Sequence, residues 1–219
     1  MKIKGLFRLN LKTVYFNLKY LPFRQAVKVP VLISKRVHLK RVSGSIRFDC
    51  AMRPFLVQIG YGDVGIFDKR RSGSIWDVAG EVIFKGKTKI GHGSKISVTS
   101  TGILELGENF SIAAESSIVA ARRIIFGKGC LLSWDVLVMD TDFHKIKDET
   151  DRIINGPEPV TVGNNVWIGC RCLILKGANI PDGCVIGAGS LVSKPLESGS
   201  AIYAGSPAKC ARENIEWEV

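Results

Sequence analysis

VGNNVWIGCRCLILKGANIPDGCVIGAGSLVSK, residues 162–194, carries an aliphatic residue at every sixth position: Val162, Ile168, Ile174, Ile180, Ile186 and Val192. Gly163, Gly169 and Gly187 follow three of them. A period of six fits neither a strand, whose side chains alternate by two, nor a helix, which repeats at 3.6. It fits a coil of short straight sides and corners, one hexapeptide to a side, and such coils stack into a parallel β-helix. The small residues four places after an aliphatic one, Thr88, Ser94, Ser116, Ala178 and Ser190, are expected to face a narrow interior with little room for anything larger. The glycines that follow the aliphatic residues, also found at Gly91, Gly107 and Gly127, are expected at corners of positive φ, which glycine adopts at no steric cost.

Working outward, the same frame runs through Val78, Phe84, Ile90 and Ile96, slips, and resumes at Leu106, Ile112, Ile118 and Ile124. A two-residue insertion moves it to Phe126, Leu132 and Val138. From Val29 to about Trp76 the chain is strand-like but irregular. This divides the sequence into an N-terminal extension (1–28), a coil domain (29–212) and a C-terminal tail (213–219), with an all-β fold class. Residues 6–21 read as an amphipathic helix ending at Pro22. Phe7, Leu11, Val14, Leu18 and Leu21 form its apolar stripe, flanked by Arg8, Lys12 and Lys19. Such a helix suits two tasks. It can cap the open end of the coil, whose strand edges need cover. It can also make peripheral contact with an anionic leaflet.

Of the 31 basic residues, 12 lie in positions 1–48, where there is no Asp or Glu; the other 19 face 20 acidic residues. The whole net charge of +11 therefore sits at the N-terminus. Such an arm suits nucleic acid, an anionic membrane or an anionic substrate. Nucleic acid is the weakest of these, because no basic and aromatic residues interleave on a recognisable module. The apolar runs are too short to span a bilayer. Lys12, Asn17 and Lys19 interrupt the N-terminal apolar stretch, so a signal peptide is not expected and the location reads as cytoplasmic, with the arm at the inner face of the membrane. Cys50, Cys130, Cys170, Cys172, Cys184 and Cys210 lack disulfide or metal spacing and read as buried small apolar thiols in a reducing cytosol.

The repeat breaks after Val138. His144 stands where the frame expects an aliphatic residue, and residues 145–161, KIKDETDRIINGPEPVT, read as an excursion loop. Breaks in a periodic scaffold are where function concentrates. A neutral imidazole beside an alcohol acts as a general base, and a carboxylate from Asp140 or Asp142 would orient it. His38 and His92 read as surface residues, the latter at an outward repeat position. A metal centre built from Asp140, Asp142 and His144 would have a poor donor set, with one imidazole, so no metal is expected.

The segment 162–194, followed by YAGSPAK at 203–209, resembles the left-handed parallel β-helix acyltransferases with hexapeptide repeats. Within them it is most similar to the O-acetyltransferases of maltose, galactosides and capsular polysaccharide. The resemblance covers about residues 78–212, and the combination of VWIG, IGAGS and GSPAK makes it specific. It supplies the handedness, which departs from the usual right-handed crossover rule. It implies a homotrimer with acetyl-CoA in the groove between two subunits, its thioester directed at His144. Trp167 matches the tryptophan lining that site, and Gly169, Cys170 and Ala188 match positions whose backbone bonds the pantetheine. Ser193, Lys194, Lys209 and Arg212 match residues near the adenosine and phosphates, where cations suit a polyanion. One departure is important. Alanines, Ala113 and Ala120 or Ala121, stand where the sugar-acetylating relatives hold the acceptor with an Asn and an Asp. Trp134 and Asp135 are the substituting candidates, Trp134 by stacking on a sugar ring. The resulting expectation is O-acetylation of a sugar or surface-polysaccharide intermediate in a ternary complex. The alternatives are N-acetylation of an amino sugar or acylation of an antibiotic or amino acid, and, in another class, a hexapeptide scaffold without catalysis.

Overall fold

The computed structural model describes residues 9–218. Two helices, α1 (Leu11–Tyr20) and α2 (Phe23–Ala26), precede strands that wind as three-sided coils. The first face stacks nine strands, from Val31–Ile33 to Lys209–Arg212. The second stacks seven, from Val37–Val42 to Leu191–Val192, and the third six, from Ser45–Phe48 to Asn179–Ile180. Pairing is parallel throughout the coils, and only the closing strand Lys209–Arg212 runs antiparallel, against Ile202–Ala204.

The register explains the period. Three hexapeptides complete one turn, so Ile168 stacks on Ile186 and Ile174 on Val192. Val162, Ile168, Ile174, Ile180, Ile186 and Val192 are all buried, and so are Thr88, Ser94, Ser116, Ala178 and Ser190. The two-residue insertion is absorbed on the third face. Strand Arg123–Phe126 turns both Ile124 and Phe126 inward, over Leu104 and Leu106 of the coil below.

The glycines work differently from the sequence expectation. Gly91, Gly107, Gly127, Gly163, Gly169 and Gly187 do not have positive φ. The left-handed residue falls two places later, at Gly93, Asn109, Gly129, Asn165, Arg171 and Gly189. What excludes a side chain at the earlier position is the next coil: a Cβ on Gly127 would stand 2.6 Å from the carbonyl carbon and oxygen of Gly163. Backbone cannot yield as a flexible side chain can. Gly127→Ala is therefore expected to lower stability by about 1–3 kcal/mol, read as a fall in the thermal unfolding midpoint without change in circular dichroism at low temperature.

The helix also corrects its expected orientation. It runs over Leu11–Tyr20, with Asn10 as N-cap accepting a bond from the Thr13 amide, and it stops before Pro22. Phe7 and Arg8 lie outside the described residues. The face turned to the coil is Thr13, Phe16 and Asn17, while Leu11, Val14 and Leu18 are exposed; of the described stripe only Leu21 is buried. The reason lies in what the coil's first strand needs. Val31–Ile33 pairs on one side only, leaving polar backbone groups to satisfy. Asn17 donates to Val31 O (2.7 Å) and accepts from Val31 N (3.2 Å). Thr13 donates to Ile33 O and accepts from Ile33 N, both at 3.0 Å. Polar side chains stand in for a neighbouring strand. Phe16 adds the apolar contact, against Trp76 at 5.3 Å between ring centres.

His92 is a second correction. It is buried, because the loop between strands Val57–Tyr61 and Ser74–Val78 folds over it. Its Nδ1 pairs with Ser72 Oγ at 2.8 Å and Phe67 packs edge-on to the ring. Burial lowers its pKa, the nearby Glu115 opposing that shift. His38 is exposed on its strand.

Candidate active site

The excursion begins where strand Leu137–Met139 of the second face ends, and the chain rejoins the coil at Val160 rather than Val162. Asp140 fixes both feet of the loop. Its carboxylate, fully buried, accepts from the amides of Ala121 (2.7 Å), Arg122 (2.8 Å) and Arg123 (2.7 Å). Its carbonyl accepts from Glu158 N at 3.1 Å, at the returning end. These bonds anchor the break in the repeat to the coil below it.

Beyond that anchor the chain turns sharply. Phe143 has φ 60°, and His144 N donates to Asp142 O at 2.7 Å. His144 has left the coil and is exposed, not seated in an aliphatic slot. Asn155 latches the turn from the far side of the loop. Its side-chain amide donates to His144 O (2.8 Å) and to Asp142 Oδ2 (3.0 Å), and its carbonyl oxygen accepts from Ile146 N (2.6 Å). Lys176, from the next coil, donates to Asp142 Oδ2 (2.6 Å) and to Asn155 O (2.9 Å). The Lys176 bond, and then the Asn155 bond, hold the Asp142 carboxyl below its usual pKa. Among the described residues no hydrogen bond reaches the His144 ring. Asn155 and Lys176 were not singled out from sequence, and they carry no motif. Asn155 sits in a polar loop and Lys176 in a repeat position open to any polar residue.

Trp167 occupies the first face, 37 % exposed, with Nε1 donating to Ser133 Oγ at 3.1 Å. Gly169 and Cys170 follow at the corner between the first and second faces, and Ala188 lies against Gly169 from the adjacent coil. Gly169 N is committed to Ile186 O (2.8 Å) and Cys170 O accepts from Gly189 N (2.9 Å). Among the described residues none accepts from the Ala188 amide. Trp134 and Asp135 sit at the same corner, where Asp135 takes φ 56° and lies 3.9 Å from Arg171 Nε. Lys209 pairs with Ala204 on the closing strand and Arg212 with Ile202 at its other end. Lys194 and Ser193 follow the second-face strand Leu191–Val192. Lys194, Lys209 and Arg212 are exposed, and among the described residues no ion pair engages them.

The candidates thus fall on two edges of the prism. Trp134, Asp135, Trp167, Gly169, Cys170 and Ala188 line the edge between the first and second faces. His144, Lys176, Ser193 and Lys194 line the edge between the second and third. Within one chain the second face separates them. The C-terminal tail adds an aromatic group to the first face: Trp217 packs 6.0 Å from Trp167 and donates from Nε1 to Asn165 O at 2.7 Å. The alanines that depart from the acceptor-binding pattern differ in place. Ala120 is buried in the core, whereas Ala113 lines an open depression of about 320 Å³ with Gln58, Tyr61, Asp63, Lys89 and Ser111. Strand Phe110–Ala114, which carries Ala113, pairs directly with the strand of Trp134.

All six cysteines are free thiols, and burial raises the Cys130 pKa to about 11. Cys210 is exposed, while Cys50 and Cys170 are half-buried, so the expectation of buried thiols fits only Cys130, Cys172 and Cys184. Among the described residues no cluster of His, Cys, Asp and Glu could hold a metal ion.

Residues 159–194 match the family model for the bacterial transferase hexapeptide (six repeats). Galactoside O-acetyltransferase of Escherichia coli (strain K12) is 34% identical over 113 residues, covering 50% of this chain and 54% of the relative. The match thus spans about half the length of that relative. An uncharacterized 24.8 kDa protein in the cps region of Klebsiella pneumoniae is 27% identical over 200 residues, 91% of this chain and 86% of that one. Among solved structures, the polySia-specific acetyltransferase NeuO superposes with a TM-score of 0.60 at 23% identity, over 86% of this chain and 79% of the other. At that identity the likeness establishes the fold alone. The fold is an all-β, left-handed parallel β-helix, and the chain is a hexapeptide-repeat protein similar to O-acetyltransferases.

Proposed function

We propose, from a hexapeptide coil similar to sugar O-acetyltransferases, that this chain transfers the acetyl group of acetyl-CoA to a hydroxyl of a sugar or surface-polysaccharide intermediate. The observation that carries the reading is the exposed imidazole of His144, displayed at one edge of a rigid coil by a turn that Asp142, Asn155 and Lys176 latch. His144 takes the proton of the acceptor hydroxyl as its oxygen attacks the thioester carbonyl. The tetrahedral intermediate collapses, the C–S bond breaks, and the imidazolium returns the proton to the departing thiolate. Both substrates are bound at once, so orientation supplies much of the rate and no acyl-enzyme is needed. Asp142 positions the turn through Lys176 rather than by touching the ring. Asp140 acts one step further away, as the anchor of the loop.

The separation of candidates onto two edges supports a homotrimer. In a three-fold assembly of prisms, the His144 edge of one copy faces the Trp167 edge of its neighbour. The acyl donor lies in that groove, with the free Ala188 amide toward the pantetheine and Lys194, Lys209 and Arg212 toward its phosphates. These cations fit the donor because among the described residues no carboxylate engages them. The acceptor occupies the depression beside Ala113, whose strand pairs with the one that ends at Trp134. The genomic setting named for the Klebsiella relative, a cps region, adds support for a glycan acceptor.

The test is acetyl-CoA consumption by the purified protein against a panel of free and lipid-linked glycans, with mass spectrometry of the product. A mass gain on an alkali-labile ester supports the reading. An alkali-stable amide product replaces it with N-acetylation. No thioester loss with any acceptor favours a scaffold.

A further inference from the structure

The first helix buries the less apolar of its two faces. Thr13 and Asn17 point inward with Phe16, while Leu11 (88 % exposed), Val14, Tyr15 and Leu18 form a continuous outer stripe. Phe23 (72 % exposed) and Val27 extend the patch along α2. Lys19, Arg24 and Lys28 are exposed around it, and among the described residues none has a carboxylate partner. No Asp or Glu occurs in residues 1–48. Capping therefore explains the inner face and leaves the outer one unexplained. An apolar stripe rimmed by unpaired cations is the chemistry of a helix lying in a membrane interface. The charge decides between occupants. A second copy would bring an equally cationic arm against this one, whereas anionic headgroups complement it. Among the described residues no helix is long and apolar enough to cross a bilayer, so the contact is peripheral.

We propose that the outer face of the two N-terminal helices docks the protein on an anionic phospholipid surface. The apolar stripe enters the interface, and Lys19, Arg24 and Lys28 meet the headgroups. This stands independently of the reaction assigned above.

The experiment sediments the full chain with vesicles of phosphatidylcholine alone, and with vesicles in which phosphatidylglycerol replaces about a third of it. Binding is expected only to the anionic vesicles, and is expected to weaken as salt is raised. The charge-reversal variant Lys19→Glu/Arg24→Glu/Lys28→Glu is expected to lose at least about tenfold in partitioning. The stripe variant Leu11→Ser/Val14→Ser/Leu18→Ser, altered only at exposed positions, is expected to lose a similar amount with its thermal midpoint preserved. No preference for anionic vesicles overturns the proposal. So does unchanged binding of the charge-reversal variant, whatever the stability of the other. A fall in particle mass by light scattering in the stripe variant, with no vesicle binding by the parent, assigns the face to a second copy instead.

Discussion

His144→Ala is expected to lower acetyl transfer by at least about a hundredfold while leaving the unfolding midpoint and CoA affinity unchanged. The split follows from the geometry. The ring is exposed, and among the described residues no hydrogen bond reaches it, so its removal orphans no buried partner there. The backbone around it is fixed by other groups: His144 N to Asp142 O, and His144 O to the Asn155 side chain. Steady-state kinetics with a competent acceptor, together with calorimetric titration of CoA, check both halves. Turnover at the parent rate would remove the imidazole from the mechanism. A lost midpoint would show that the ring packs in the fold.

Asp140→Ala is expected to do the reverse in kind, lowering stability by about 3–5 kcal/mol and taking activity with it. Among the described residues the carboxylate is the sole side-chain acceptor for three successive amides, and it is fully buried. Alanine leaves those donors unpaired where water enters only by opening the turn. Asp140→Asn is expected to recover part of the stability, since its one carbonyl oxygen accepts from some of the three amides. Thermal unfolding of both variants separates this from an imidazole-orienting role. Such a role would lose kcat at an unchanged midpoint.

The two aspartates show how far the sequence reaches into the site. Their place beside a histidine at a break in the repeat marks the region. Nothing in their spacing tells that one faces inward to the backbone of the preceding coil and the other outward to Lys176. That difference depends on which coil lies below and which above. Their partners in the neighbouring coils lie 17 to 34 positions away, so their identities become meaningful only once the coils are stacked. Lys176 is illegible for the same reason, and Asn155 because only the folded loop brings it back onto His144. The helix misled more directly. A stripe of apolar residues ordinarily marks the buried face, but here the surface to be covered is an open strand edge, whose need is for hydrogen bonds. His92 likewise reads as outward from the repeat, and it is the irregular loop above it that buries it.

The sequence alone determined the coil. A period of six can be satisfied only when each side buries its aliphatic residue against the one a full turn away, so the spacing of Ile168 and Ile186 already contains their contact. It also determined the break, because a repeat advertises its own interruption. The tertiary structure decided everything that depends on direction. It set which face of the first helix meets solvent, why the repeat glycines lack side chains, and which of two edges carries each candidate residue. These are relations between coils rather than along them. A local pattern fixes distance along the chain, but a neighbour's backbone approaches from outside that pattern.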